Sequence, residues 1–147
     1  MGLDMYLHKR FYIGGAYDEN PDAEIEFTTE KFGRRKNWSF RLGEVESIDV
    51  LAMQWRKAYS IDDWFMKLRD YANTFFYISH EQLLEFYDTI SQVRADHSKA
   101  SELLPIDDTP EEWYWDDLEA TYSKLAELVE EIRYGNADFD LYYEHNA

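Results

Sequence analysis

With 147 residues, 45% apolar and 18% aromatic, the chain has material for one hydrophobic core and no room for a second independent one. Its formal net charge is −16, and residues 75–147 hold nearly all of it: 4 Lys/Arg stand there against 18 Asp/Glu, compared with 11 against 13 in residues 1–74. Such a field disfavours nucleic acid and anionic membranes and favours basic surfaces, while the absence of cysteine excludes disulfides and thiolate metal sites.

No apolar run approaches the roughly 20 residues that span a bilayer, and no basic-then-apolar leader opens the chain. Gly2 is followed by Tyr6 where a myristoylation motif wants Ser or Thr. The expectation is a soluble, cytoplasmic protein.

In chain order, Leu3 to Ile13 mixes long apolar, aromatic and β-branched residues and stops at Gly14-Gly15, which predicts a strand. Gly14 to Ala23 reads as a loop. Glu24 to Lys31 alternates, with Ile25 and Phe27 on one face, and Trp38, Phe40 and Leu42 alternate after the basic turn Gly33 to Lys36. Two such runs around a glycine turn predict an antiparallel hairpin. Arg34, Arg35, Lys36 and Arg41 give it the only basic patch in the sequence.

From Leu51 the spacing changes: Leu51, Trp55, Ala58, Ile61, Phe65, Leu68 and Ala72 recur at three and four residues, predicting one helix of about six turns. Ser60 and Asp63 resemble an internal capping box, which would start the helix at Ile61 instead. On the longer helix Arg56, Lys57, Asp63 and Trp64 form an outer edge available for recognition, with Trp64 also able to pack under a neighbour.

Thr74 to Ile78 is a short, uncharged, ring-rich run, predicted as an inner strand. Ser79 with Gln82 then makes a capping box for a helix whose stripe runs from Leu83 to Leu104 and which Pro105 ends. His97 lies on that stripe as a core or boundary residue. A third helix is announced by Thr109 as N-cap, Pro110 at the first position and Glu111 and Glu112 at the positive end of the dipole. Its stripe is Trp115, Leu118, Tyr122, Leu125, Val129 and Ile132, and Gly135 closes it. Phe139 to Tyr143 predicts a last strand. The fold class is α+β, a single domain over 1–147 with a mostly antiparallel sheet and about three helices packed on it.

The sequence holds no phosphate-binding loop, dinucleotide fingerprint, nucleophile elbow or H-E-x-x-H motif, and its four histidines are scattered. The carboxylate pairs Asp62-Asp63, Asp107-Asp108 and Asp116-Asp117 fit solvated helix ends better than a catalytic dyad, which needs two carboxyls with separated pKa values across a cleft. No catalytic residue, metal site or cofactor is expected, and the chain is read as not an enzyme.

Several stretches resemble a family of small, uncharacterised bacteriophage and prophage proteins: the opening MGLDMYL, WRKA followed by Ile61 and Trp64-Phe65, the LLP at Leu103 to Pro105, EWYWDDLEAT, and the closing DFDLYY. These matches run in order through nearly the whole chain. In the family pattern a histidine often stands where this chain has Asp62. The resemblance implies a phage setting, hence the cytoplasm of a bacterial host, and carries no activity.

Three functions fit these readings. The first is a non-catalytic accessory protein that binds and inhibits a host or defence protein, of the anti-CRISPR or anti-defence kind. Its surface for a basic partner would be Asp107, Asp108, Glu111, Glu112, Trp113, Tyr114, Asp116 and Asp117, where rings give contact area and carboxylates steer the encounter. The second is a protein that sequesters a nucleotide or small anion with Arg56, Lys57 and the Arg34 to Arg41 face. The third is an acidic surface that imitates DNA. Direct binding of nucleic acid or membrane is not expected.

Overall fold

A computed structural model describes residues 2–106 and 110–147. The fold is α+β with mostly antiparallel strands, and the chain divides into two compact units: residues up to Lys9 with Val50–Ala147, and Arg10–Asp49. In chain order the elements are β1 (Asp4–Tyr12), β2 (Glu24–Lys31), β3 (Arg34–Arg41), β4 (Ser47–Arg56), α1 (Tyr59–Lys67), β5 (Phe75–Ile78), α2 (His80–Ala95), α3 (Ala100–Leu103), α4 (Glu111–Tyr134) and β6 (Asp140–Asn146). Among the described residues no helix is long and apolar enough to cross a membrane.

Four strands form one sheet in the order β4-β1-β6-β5, with β5 antiparallel to β6 from Phe75↔Glu144 to Ile78↔Leu141. The larger unit holds every buried residue. From the sheet come Leu3, Met5 and Leu7 of the first strand region, Met53 and Trp55 of β4, Ile78 of β5, and Leu141 and Tyr143 of β6. The helices add Ile61 and Phe65, Leu83, Phe86, Ile90 and Val93, and Tyr114, Leu118, Leu125, Leu128 and Val129. Rings fill the middle: Phe65 stacks on Tyr143 at 4.3 Å between centroids and meets Phe86 at 4.6 Å. Trp64 closes on Phe86 at 4.9 Å, so this tryptophan packs.

The unit Arg10–Asp49 holds the β2/β3 hairpin, its flanking loops, the last residues of β1 and the first of β4, and none of its residues is buried. Full register from Glu24↔Arg41 to Lys31↔Arg34 leaves a two-residue turn, Phe32-Gly33, with φ of 53° and 73°. Arg34, Arg35 and Lys36 therefore belong to the strand and not to the turn. Gly14 lies against the Leu42 carbonyl, where a Cβ would come within 2.2 Å, so only glycine fits that crossing.

Three expected elements differ. Residues 47–56 are strand, and the helix that follows covers only Tyr59–Lys67. The spacing of three and four from Leu51 coincides with an alternation, Leu51-Met53-Trp55, that fits a strand edge equally well, and Lys57 at φ 55° ends any helical path between them. Ser60 caps nothing; its hydroxyl donates to the Pro105 carbonyl at 2.5 Å. The expected inner strand β5 lies at the sheet's edge, with Phe75 and Tyr77 exposed.

The second expected helix stops at Ala95, because Asp96 turns to φ −145° and its carboxylate accepts from the Ser98 N–H (3.1 Å) and hydroxyl (2.6 Å). His97 is then exposed rather than internal. The capping box does form: Ser79 Oγ accepts the Gln82 N–H and Gln82 Oε1 accepts the Ser79 N–H, each at 3.0 Å. Thr109, expected to cap the third helix, lies outside the described residues, and Pro110 takes the N-cap position of α4.

Candidate functional site

Helix α4 begins with Glu111-Glu112-Trp113, and its apolar stripe sets which of the expected contact residues reach solvent. Tyr114, Leu118, Thr121, Leu125 and Leu128 recur at three and four residues and are buried, so Glu111, Glu112, Trp113 and Asp116 face outward. Trp113 keeps 49% of its surface exposed. Trp115 is half-buried and stacks on His97 at 3.8 Å, which braces this end of the helix against the short turn at His97–Lys99.

Tyr114 corrects the expected contact set. It is only 4% exposed, and its hydroxyl donates to the Leu104 carbonyl at 2.6 Å. Burial pushes its pKa up to about 12. It is a core residue that ties α4 to the end of α3. Asp117 is half-buried, and its pKa is raised by burial and then by the neighbouring Asp116 charge. Asp107 and Asp108 lie outside the described residues.

The expected recognition edge of Arg56, Lys57, Asp63 and Trp64 does not exist as a single edge, because strand and turn replace the long helix. Arg56 ends β4 and is exposed, whereas Lys57 sits in the left-handed turn with its N–H donated to the Leu3 carbonyl at 2.7 Å. Asp63 is engaged by the Tyr71 hydroxyl (2.6 Å) and by Lys67 (3.0 Å). Burial raises its pKa, but these two partners outweigh it and the net shift is downward. Trp64 is taken up in the ring cluster. The cations of the anion-binding reading are divided between the units, with Arg56 and Lys57 in one and Arg34, Arg35, Lys36 and Arg41 in the other.

Asp62 is only 9% exposed and serves the interior: its Oδ1 accepts the Tyr143 hydroxyl at 2.6 Å and lies 2.9 Å from His145 Nδ1. A buried carboxylate holding a tyrosine and a histidine locks the end of β6 onto α1. Two further histidines are hydrogen-bonded, His8 with Glu144 at 3.1 Å and His80 with the Phe139 carbonyl at 2.9 Å. Among the described residues no group of three His, Asp or Glu stands close enough to hold a metal ion.

One site escaped the sequence reading altogether. β4 and α4 flank a groove of about 400 Å³ lined by Leu51 through Arg56 on one side and Asp117, Ala120, Thr121 and Lys124 on the other. The signal was the alternation Leu51-Met53-Trp55. No protein-family model, curated protein or solved structure matches this chain.

Proposed function

We propose that this chain is a non-catalytic binding protein that engages a basic protein surface through the exposed start of α4. Trp113 supplies the anchor, and Glu111, Glu112 and Asp116 supply the charged rim. The observation that carries the reading is a half-exposed tryptophan set among three outward carboxylates on a braced helix end. Tryptophan is the residue most suited to an interface anchor, and like-signed carboxylates around it speed encounter with a positive partner. The family resemblance supports a phage setting, in which the partner is a host or defence protein of the bacterial cytoplasm and binding inhibits it by occupying a basic groove.

The test is capture of the tagged chain's partner from bacterial cells, followed by an activity assay of the captured complex. Trp113→Ala and the pair Glu111→Lys with Glu112→Lys should each abolish capture and inhibition while leaving the circular dichroism spectrum intact. A partner held equally well by both variants would defeat the proposal. The competing reading, a nucleotide held by Arg56 and Lys57, predicts instead a rise in melting temperature on adding nucleotides to the purified chain.

A further inference from the structure

β4 is the terminal strand of its sheet, and among the described residues no strand pairs with its outer edge. Alternate backbone N–H and C=O groups along such an edge point away from the sheet and offer a template for another strand. Natural edges of this kind are blunted by lysine, proline, bulges or a covering element. Residues 50–55 here read Val-Leu-Ala-Met-Gln-Trp, with no proline and no charge, and Val50 and Leu51 are 42% and 49% exposed.

The groove beside this edge has the right shape for an added strand. Six consecutive β4 residues line it, from both faces of the strand, which places the groove along the edge and not on one face. Its opposite wall is one face of α4 at Asp117, Ala120, Thr121 and Lys124. A second hollow of about 140 Å³ shares Leu51, Ala52 and Lys124 with it and runs past Val50 to Glu127, where Lys9 of β1, ion-paired with Glu131, also lines it. The Trp55 indole N–H, donated to Thr121 at 2.8 Å, pins strand and helix at a fixed separation. An edge strand beside a helix is the arrangement in which an extended peptide is bound by main-chain pairing, with pockets reading alternate side chains.

We propose that the β4 edge and the α4 wall form a site for an extended peptide of about seven residues, basic overall and apolar at alternate positions. Seven residues correspond to the length of β4 from Val50 to Arg56 that borders the hollows. The apolar positions meet Leu51, half exposed on the face of β4 that carries the buried Met53 and Trp55 and meets Thr121 of α4; the positive charge answers the chain's own −16. The same charge opposes a second copy of this chain at the edge, since two such chains repel.

A displayed library of random heptapeptides is panned on the wild-type chain after depletion on the Ala120→Trp variant, whose ring fills the groove from an exposed helix position. Enriched peptides should alternate apolar with Lys or Arg. The best of them should protect amides within Val50–Arg56 from hydrogen exchange and should bind Ala120→Trp at least tenfold more weakly. Its copy N-methylated at alternate residues, which keeps the charge but cannot pair, should also lose at least tenfold. Trp113→Ala should leave this binding unchanged, which separates the site from the start of α4. Failure to enrich any peptide, equal binding of the N-methylated copy, or protection of β4 that grows with protein concentration in the absence of peptide would each overturn the proposal.

Discussion

The indole N–H of Trp55 donates to the hydroxyl of Thr121 at 2.8 Å, and both side chains are buried. This bond joins the edge strand β4 to the middle of the longest helix across 66 residues of sequence. Thr121→Val keeps the shape of the side chain but leaves a buried N–H without an acceptor, which costs about 1–3 kcal/mol. Thr121→Ser retains the hydroxyl and should lose clearly less. Urea unfolding of the three proteins measures this, and a Val variant with an unchanged midpoint would show that the indole finds another acceptor.

The carboxylate of Asp62 gives a second buried connection, accepting the Tyr143 hydroxyl while facing the His145 ring nitrogen. Tyr143→Phe removes one donor to a charged acceptor and should cost about 1.5–3 kcal/mol. Asp62→Ala should cost more than Tyr143→Phe, because it strands the tyrosine hydroxyl and the imidazole together. In a double-mutant cycle Tyr143→Phe should then cost little in the Asp62→Ala background. Additive losses would mean the two groups do not depend on each other.

How far these relations can be read from sequence depends on the range of the interactions that decide them. The strand from Asp4, the β2/β3 hairpin and the Ser79-Gln82 capping box are local: alternation, turn and cap lie within a few residues of each other, and the structure has all three, with the hairpin turn tightened from Gly33 to Lys36 down to Phe32-Gly33. β4 was not legible because Leu51 and Trp55 belong both to a strand alternation through Met53 and to a helical stripe through Ala58. The choice falls to Thr121, Leu3 and the turn at Lys57, none of which a window on residues 51–72 weighs. At the candidate site the acids at the start of α4 were legible as a cluster. Which of the rings faced inward depended on the phase of the stripe, and that phase puts Tyr114 inside and Trp113 outside.

The hairpin turn holds Phe32 at φ 53° with its ring fully exposed. A bulky residue in the left-handed region is strained, and here no packing offsets the strain. Phe32→Asn, a residue that tolerates this conformation, should stabilise the hairpin by up to about 1 kcal/mol. Gly33→Ala, at φ 73°, should destabilise it by about 1 kcal/mol. Hydrogen exchange of the β2 and β3 amides reports both, and an Asn variant with faster exchange would contradict the strain argument.

Alkaline pH should act on the core through Tyr114 and Tyr143. Burial raises the Tyr114 pKa from 10.0 to about 12. Burial, and then the Asp62 carboxylate, push Tyr143 in the same direction. A folded-state pKa above the unfolded value means that the contribution to stability is complete below pH 10. As pH rises from there the unfolded chain gives up the proton that the fold retains, and Tyr114's contribution is lost as pH rises through about 12. Tyr114→Phe gives up the bond to the Leu104 carbonyl at every pH, but it should also flatten the fall in stability between pH 10 and 12 by about one proton. Tyr143 still supplies a slope in that variant, so the fall should shrink and not vanish. Urea midpoints taken at intervals from pH 9 to 12 measure the slopes, and parallel curves for wild type and Tyr114→Phe would show that Tyr114 ionises no differently in the folded chain.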